Sequence, residues 1–277
     1  MYYLGLDDFL RRALEEDIGT GDITTISCIP ENAVSKGAFK AKEPGVICGM
    51  DILIRVFALL DPTVVVTPLV SDGTYVEKGT VIAEISGNSR SILSGERVAL
   101  NLIQRLSGIA TRTHEAVRQV AGTKAVIVDT RKTTPGLRTL EKYAVRTGGG
   151  RNHRYNLADG VLIKDNHIKA AGGIKQAVEA VRRTAPHTLK IEVETETMEQ
   201  VDEALAAGAD IIMLDNMSIE EMTAAVKRIN GRALVEASGN MGERDLREVA
   251  ETGVDLISIG ALTHTVKALD ISLKFYE

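Results

Sequence analysis

LKIEVETETMEQVDEALAAGADIIMLDN, residues 189–216, decides the fold. Two short apolar runs, LKIEVE (189–194) and DIIML (210–214), flank a helix-compatible segment that Thr197 and Gln200 open as a capping box. A strand, a capped helix and a second strand joined by short loops imply parallel strands. Within the first run the period of two puts Glu192 and Glu194 on one face and Val193 on the other. Working outward, the same kind of run recurs at 125–128, 161–163, 233–237 and 256–259, and Ser218 with Glu221 marks a second capped helix. From Lys164 to Glu194, Asp215, Ser238 and Gly260 the steps are 30, 21, 23 and 22 residues, the length of successive βα units. Six visible units and one irregular one predict a barrel related to the eight-stranded kind but with fewer strands.

In such barrels the chemistry lies at the C-terminal strand ends. Here those ends read Arg131/Lys132, Lys164/Asp165, Glu192/Glu194, Asp215/Asn216, Ser238/Gly239/Asn240 and Gly260. The stretch from Asp129 to Ile168 holds eight Lys/Arg against four Asp/Glu in a chain of net charge −5. Arg138, Lys142 and Arg146, at four-residue spacing, read as a solvated helix face. Arg131, Lys132, Arg154 and Lys164 sit instead at strand ends or beside a glycine-rich loop, where packing asks for no cation, and read as an anion site. Inward-facing carboxylates need cations or a metal, which Lys132, Lys164 and Mg²⁺ would supply. The glycine turns of EASGN (236–240) and SIGALTHT (258–265) suit a phosphate.

The first half reads differently. Residues 6–16 form an amphipathic helix closed by Gly19, and GDITT (21–25) is a polar turn. Residues 33–87 alternate β-type runs and turns around a helix-like insert at 49–60. VSDGTYVEKGTVIAEISG resembles half of a biotinyl or lipoyl hammerhead, but the turn after Ile85 reads Ser86-Gly87-Asn88-Ser89 and lacks the lysine of a carrier. Residues 92–121 are helical with a break at Gly108, and Arg97 beside Glu96 reads as a surface ion pair.

With 277 residues, 44% hydrophobic, the chain can fill one large domain and one small one. An acidic balance argues against nucleic-acid or membrane binding. Cys28 and Cys48 are too few for a disulfide framework or a zinc site and read as small buried hydrophobes, as in a reducing cytoplasm. The first residues lack the basic and apolar regions of an export signal. The five histidines show no metal-ligand spacing, and His114 and His167 read as structural hydrogen-bonders.

DTRKTTPGLRTLEKYAV, GGGRNHRYNLADGVLIKDNHI, IEVE, LDNM, EASGN and DLISIGALTHT, with GDITT and GERVALN before them, resemble the signature blocks of the quinolinate phosphoribosyltransferase family over nearly the whole chain. The resemblance implies an α/β protein in which an N-terminal open α/β sandwich domain (1–110, with 266–277 returning to it) joins a seven-stranded TIM-like α/β barrel (111–265), assembled as a homodimer or hexamer. It implies transfer of phosphoribosyl from phosphoribosyl pyrophosphate to quinolinate, with Mg²⁺, giving nicotinate mononucleotide, pyrophosphate and CO₂ for NAD biosynthesis. Carried onto this sequence, Arg131, His153, Arg154 and Lys164 would hold the quinolinate carboxylates with Lys132 at the reacting centre. Arg97 would come from the neighbouring subunit. Glu194 and Asp215 would face the ribose and its metal, while Ser238, Gly239, Asn240, Gly260 and His264 would serve the phosphate end. Lys132 or a water is the expected proton donor to C2 of the ring. The alternatives are a paralogous phosphoribosyltransferase-like protein of different substrate and a Schiff-base aldolase acting through Lys164.

Overall fold

The strand–helix–strand unit at 189–216 forms as its pattern dictates. In the computed structural model, which describes residues 4–276, Thr197 accepts from the Gln200 amide at the helix start, and the flanking strands pair in parallel with Glu194 opposite Met213. In chain order the elements are α1 (Leu6–Ile18), α2 (Ile23–Cys28), β1 (Val34–Ala41), β2 (Gly45–Val46), α3 (Met50–Leu60), β3 (Val65–Pro68), β4 (Tyr75–Val76), β5 (Val81–Asn88) and α4 (Ser89–Gln119). They continue with β6 (Val126–Val128), α5 (Arg138–Thr147), β7 (Val161–Ile163), α6 (Asp165–Ala171), α7 (Ile174–Thr184), β8 (Ile191–Thr195), α8 (Met198–Ala206) and β9 (Ile211–Asp215). The last are α9 (Ile219–Ile229), β10 (Leu234–Ser238), α10 (Leu246–Glu251), β11 (Leu256–Ser258), α11 (Ala261–His264) and β12 (Ile271–Phe275). Residues 1–3 of the N-terminal stretch and 277 of the closing one lie outside the described residues.

The chain divides into two units. The first comprises Met1–Arg112, Thr139–Gly148 and Val266–Glu277. Its antiparallel sheet runs β12-β1-β5-β3, so the closing segment is the sheet's edge, with Leu273 opposite Phe39. Phe39 and Phe57 are fully buried, their rings 6.2 Å apart. The polar turn GDITT is the start of α2, where Asp22 caps the Thr25 amide. Helix α4 is continuous, and Gly108 is not a break: a Cβ there would run into the Lys267 carbonyl, so the glycine lets two backbones touch. Cys48 is buried as predicted, but Cys28 is exposed.

Helix α5 departs from expectation in two further ways. Its residues from Thr139 belong to this first unit rather than to the barrel, and Lys142 is fully buried instead of lying on a solvated face. Buried Glu141 draws the Arg105 guanidinium through bonds of 2.9 and 2.6 Å, and the Tyr143 hydroxyl donates to Asp72 at 2.7 Å. Asp72 in turn accepts the Gly49 and Met50 amides at the start of α3, whose N-cap glycine (φ 111°) offers no side chain of its own.

The second unit, Thr113–Arg138 and Gly149–Thr265, carries a parallel sheet in the order β6-β11-β10-β9-β8-β7. Ser238 lies opposite Asp215, and Ser258 opposite Val128, so polar strand ends come level. The described sheet has six strands, not seven. The irregular one is a single parallel bridge between Arg151 and Val128. It stops there because Asp129, fully buried, takes the His153 amide at 2.9 Å and the Asn152 side chain at 2.6 Å, leaving His153 no amide for a ladder.

Candidate active site

A cavity of about 460 Å³ opens at the C-terminal ends of the barrel strands. One side carries cations. Arg131 and Lys132 follow β6, Arg154 lies in the loop after the Arg151 bridge, and Lys164 follows β7. The Arg131 Nε is buried without a hydrogen-bond partner, a donor left for a ligand. Arg154 is anchored to the Gly160 carbonyl at 2.8 Å, and burial, then the charge of Arg131, push its guanidinium below its ordinary pKa. Two guanidiniums held this close favour an anion between them. The Lys132 backbone is pinned on both sides: its amide donates to Thr130 at 3.0 Å, and its carbonyl accepts from buried Thr263 at 2.9 Å.

The opposite side carries Glu194 and Asp215, at the ends of β8 and β9. Glu194 is ion-paired with Lys164, and Asp215 accepts from the Asn216 side chain at 2.8 Å. Two carboxylates lining one cavity offer hard oxygen donors. Mg²⁺ is commonly held by one or two such groups together with substrate phosphates, so this pair fits it. Beyond them lies the turn Ser238-Gly239-Asn240. Gly239 has φ +89°, and a Cβ there would collide with Asn216; Asn216 (φ 55°) and Asn240 (φ 53°) are themselves left-handed. Three such conformations in facing loops hold backbone atoms close to the cavity, as a phosphate site requires.

At the cavity's inner end His153 meets two buried glutamates. Its Nε2 lies 3.0 Å from Glu192 and 3.7 Å from Glu236, while its Nδ1 accepts the Arg154 amide at 2.8 Å. His153 thus lines the cavity while turning both ring nitrogens to protein groups. His153, Glu192 and Glu236 place one potential ligand atom each within 4.8 Å of one another, a proximity that sequence spacing does not display.

Of the other predicted residues, Gly260 and His264 stand beside Lys132: a Cβ on Gly260 would lie 3.0 Å from Lys132 Cδ and 3.1 Å from His264 Cδ2. Arg97 belongs to the first unit, exposed on α4. His167 is structural as predicted, accepting the Lys164 amide at 2.9 Å. The sequence reading missed Glu236, Asp129 and Thr263 as site residues. Glu236 was within reach of it, because the period of two that places Glu192 and Glu194 also places Glu236 on the Ser238 face. Nothing local in the sequence marks Asp129 or Thr263, whose work is to hold a distant loop.

Residues 22–107 match the family model for the quinolinate phosphoribosyl transferase N-terminal domain, and 109–274 that for its C-terminal domain. The chain is 50% identical over 273 residues to a probable nicotinate-nucleotide pyrophosphorylase [carboxylating] of Bacillus subtilis, covering 99% of this chain and 94% of that protein. It is 47% identical to one from Synechocystis, covering 97% and 92%. Among solved structures, NadC from Streptococcus pyogenes superposes with a TM-score of 0.93 at 42% identity, covering 100% and 99% of the two chains. The nicotinate-nucleotide pyrophosphorylase of Ehrlichia chaffeensis gives 0.95 at 41%, covering 99% and 100%. With both domain models matched end to end and relatives near half identical, the chain belongs to the quinolinate phosphoribosyltransferase family.

Proposed function

We propose that quinolinate binds with its two carboxylates against Arg131, Arg154 and Lys164, and that phosphoribosyl pyrophosphate lies between Glu194/Asp215 and the turn Ser238-Gly239-Asn240. The buried, unpartnered Nε of Arg131 carries this reading, because a buried donor without an acceptor belongs to a site that a ligand completes. As a member of its family, the chain transfers phosphoribosyl to quinolinate with loss of CO₂, forming nicotinate mononucleotide for NAD biosynthesis.

The residues divide the work. The cation side fixes the ring so that its nitrogen faces C1 of the ribose, which turns an encounter into an oriented attack. As pyrophosphate departs, C1 gains oxocarbenium character, and Glu194 and Asp215 stabilise the developing charge. Mg²⁺, held by the same two residues, would neutralise the leaving oxygens. Lys164, paired with Glu194, spans the two halves of the site and couples the carboxylate contact to the ribose contact. Lys132, set by Thr263 and Gly260, lies against the reacting ring. Once alkylated, the ring nitrogen is cationic and draws electrons from C2, so the adjacent carboxylate leaves as CO₂. In a homodimer or hexamer, exposed Arg97 of one subunit completes the carboxylate pocket of its neighbour.

Equilibrium binding tests the assignment. Removing one partner of a buried charge pair costs at least about 2 kcal/mol. Arg131→Met is therefore expected to weaken quinolinate at least about 30-fold while leaving phosphoribosyl pyrophosphate binding unchanged. Equal loss of both ligands, or of neither, would contradict it.

A further inference from the structure

A second cavity, of about 570 Å³, opens at the other end of the barrel. Val161, Ile211 and Leu256, each the first residue of its strand, line it, with Tyr155 and Gly160 from the loop that follows the Arg151 bridge. Three residues line both cavities: His153, Arg154 and Glu236. They form the partition between the substrate cavity and a separate opening to solvent.

Glu236 stands apart within that partition. It is fully buried, and although Glu192, Ser258 and His153 surround it, neither carboxylate oxygen makes a hydrogen bond of good geometry. Burial first, and then the neighbouring Glu192 carboxylate, raise its pKa to about 8 against the opposing pull of His153 and Ser258, which favours the protonated acid at this position. The Nδ1 of His153 accepts the Arg154 amide and its Nε2 faces Glu192, so both ring nitrogens are committed to protein groups and Glu236 is left as the group that faces both cavities.

We infer that Glu236 is the catalytic acid that returns a proton to C2 of the pyridine ring, and that the rear cavity supplies the water that reloads it. This rests on the assignment of quinolinate to the front cavity. The C2–carboxylate bond breaks, CO₂ departs, and the electron pair left on C2 of the N-alkylated ring takes the carboxylic proton of Glu236. The resulting carboxylate regains, through rear-cavity water, the one proton that each turnover takes up from solvent. The route works while bound substrates and pyrophosphate fill the front cavity, because it opens at the opposite end of the barrel.

Single-turnover analysis of Glu236→Gln tests this, with pyrophosphate, CO₂ and nicotinate mononucleotide each followed. Gln keeps shape and neutrality but has no proton to give. Pyrophosphate is expected at the wild-type rate, while nicotinate mononucleotide slows by about 10²-fold or more, as loss of a general acid requires, and the carboxylated mononucleotide accumulates. Leu256→Phe narrows the rear cavity without touching the front one and is expected to slow the same step, which keeps the test decisive if Glu236→Gln folds poorly. Wild-type formation of nicotinate mononucleotide in both variants would overturn the proposal. So would an equal slowing of pyrophosphate release, or one equivalent of tightly bound metal that Glu236→Gln loses. Were the wild-type protein itself to make no nicotinate mononucleotide, the substrate assignment would fail first; a productive wild type with unaffected variants would sink the proton route alone.

Discussion

Lys132 owes its place to residues far from it in sequence. Thr263 holds its carbonyl, and Gly260 leaves room for its stem and for the His264 ring. Gly260 has an ordinary backbone (φ −63°), so alanine is conformationally free there, and the new methyl meets only side chains. Gly260→Ala is expected to keep its melting temperature and to lose about 10- to 100-fold in kcat/KM, since a displacement of about 1 Å at a reacting centre has effects of that size. Thermal melts beside steady-state kinetics check this; unchanged kinetics would mean that Lys132 is not at the chemistry. That Arg131, Glu194 and Asp215 line one cavity was legible at this scale, because charged residues ending successive apolar runs come together at the same end of a parallel sheet. Asp129 was not, because a carboxylate that braces a loop 24 residues away carries no local mark.

Among the elements, the βα units were readable from period and caps, since strand alternation and Thr197 or Ser218 at helix starts are local physics. Tertiary contact overrode local pattern elsewhere. Four-residue spacing gives Lys142 an exposed look, but the buried neighbour Glu141, held by Arg105, turns that face of α5 inward. Gly108 looks like a helix break, whereas α4 runs straight through it and uses the missing side chain to admit the chain at Lys267. Propensity alone would have Gly108→Ala stabilise a helix by about 1 kcal/mol. The clash is with backbone, which cannot swing away, and overpacking costs about 1–3 kcal/mol or more. Gly108→Ala is therefore expected to lower the melting temperature by several degrees in a calorimetric scan, and a higher melting point would contradict the close approach.

For the whole molecule, an acidic chain that sets Arg131, Lys132, Arg154 and Lys164 around one cavity suits a small anion. It is not built to coat a polyanion. No helix among the described residues is long and apolar enough to cross a membrane. The two-domain plan was legible because blocks of residues resembled a family along nearly the whole chain. The reassignment of α5 and the reduction of the seventh strand to a bridge depend on contacts across the fold that no run of residues displays. The central claim is that the cation side is set for two carboxylates on one ring, one of which is then lost. Its most direct test is product formation with phosphoribosyl pyrophosphate and Mg²⁺, comparing quinolinate with nicotinate, which lacks the C2 carboxylate. The account predicts nicotinate mononucleotide and one CO₂ per turnover from quinolinate and negligible product from nicotinate. Equal turnover of nicotinate, or product from quinolinate without CO₂, would contradict it.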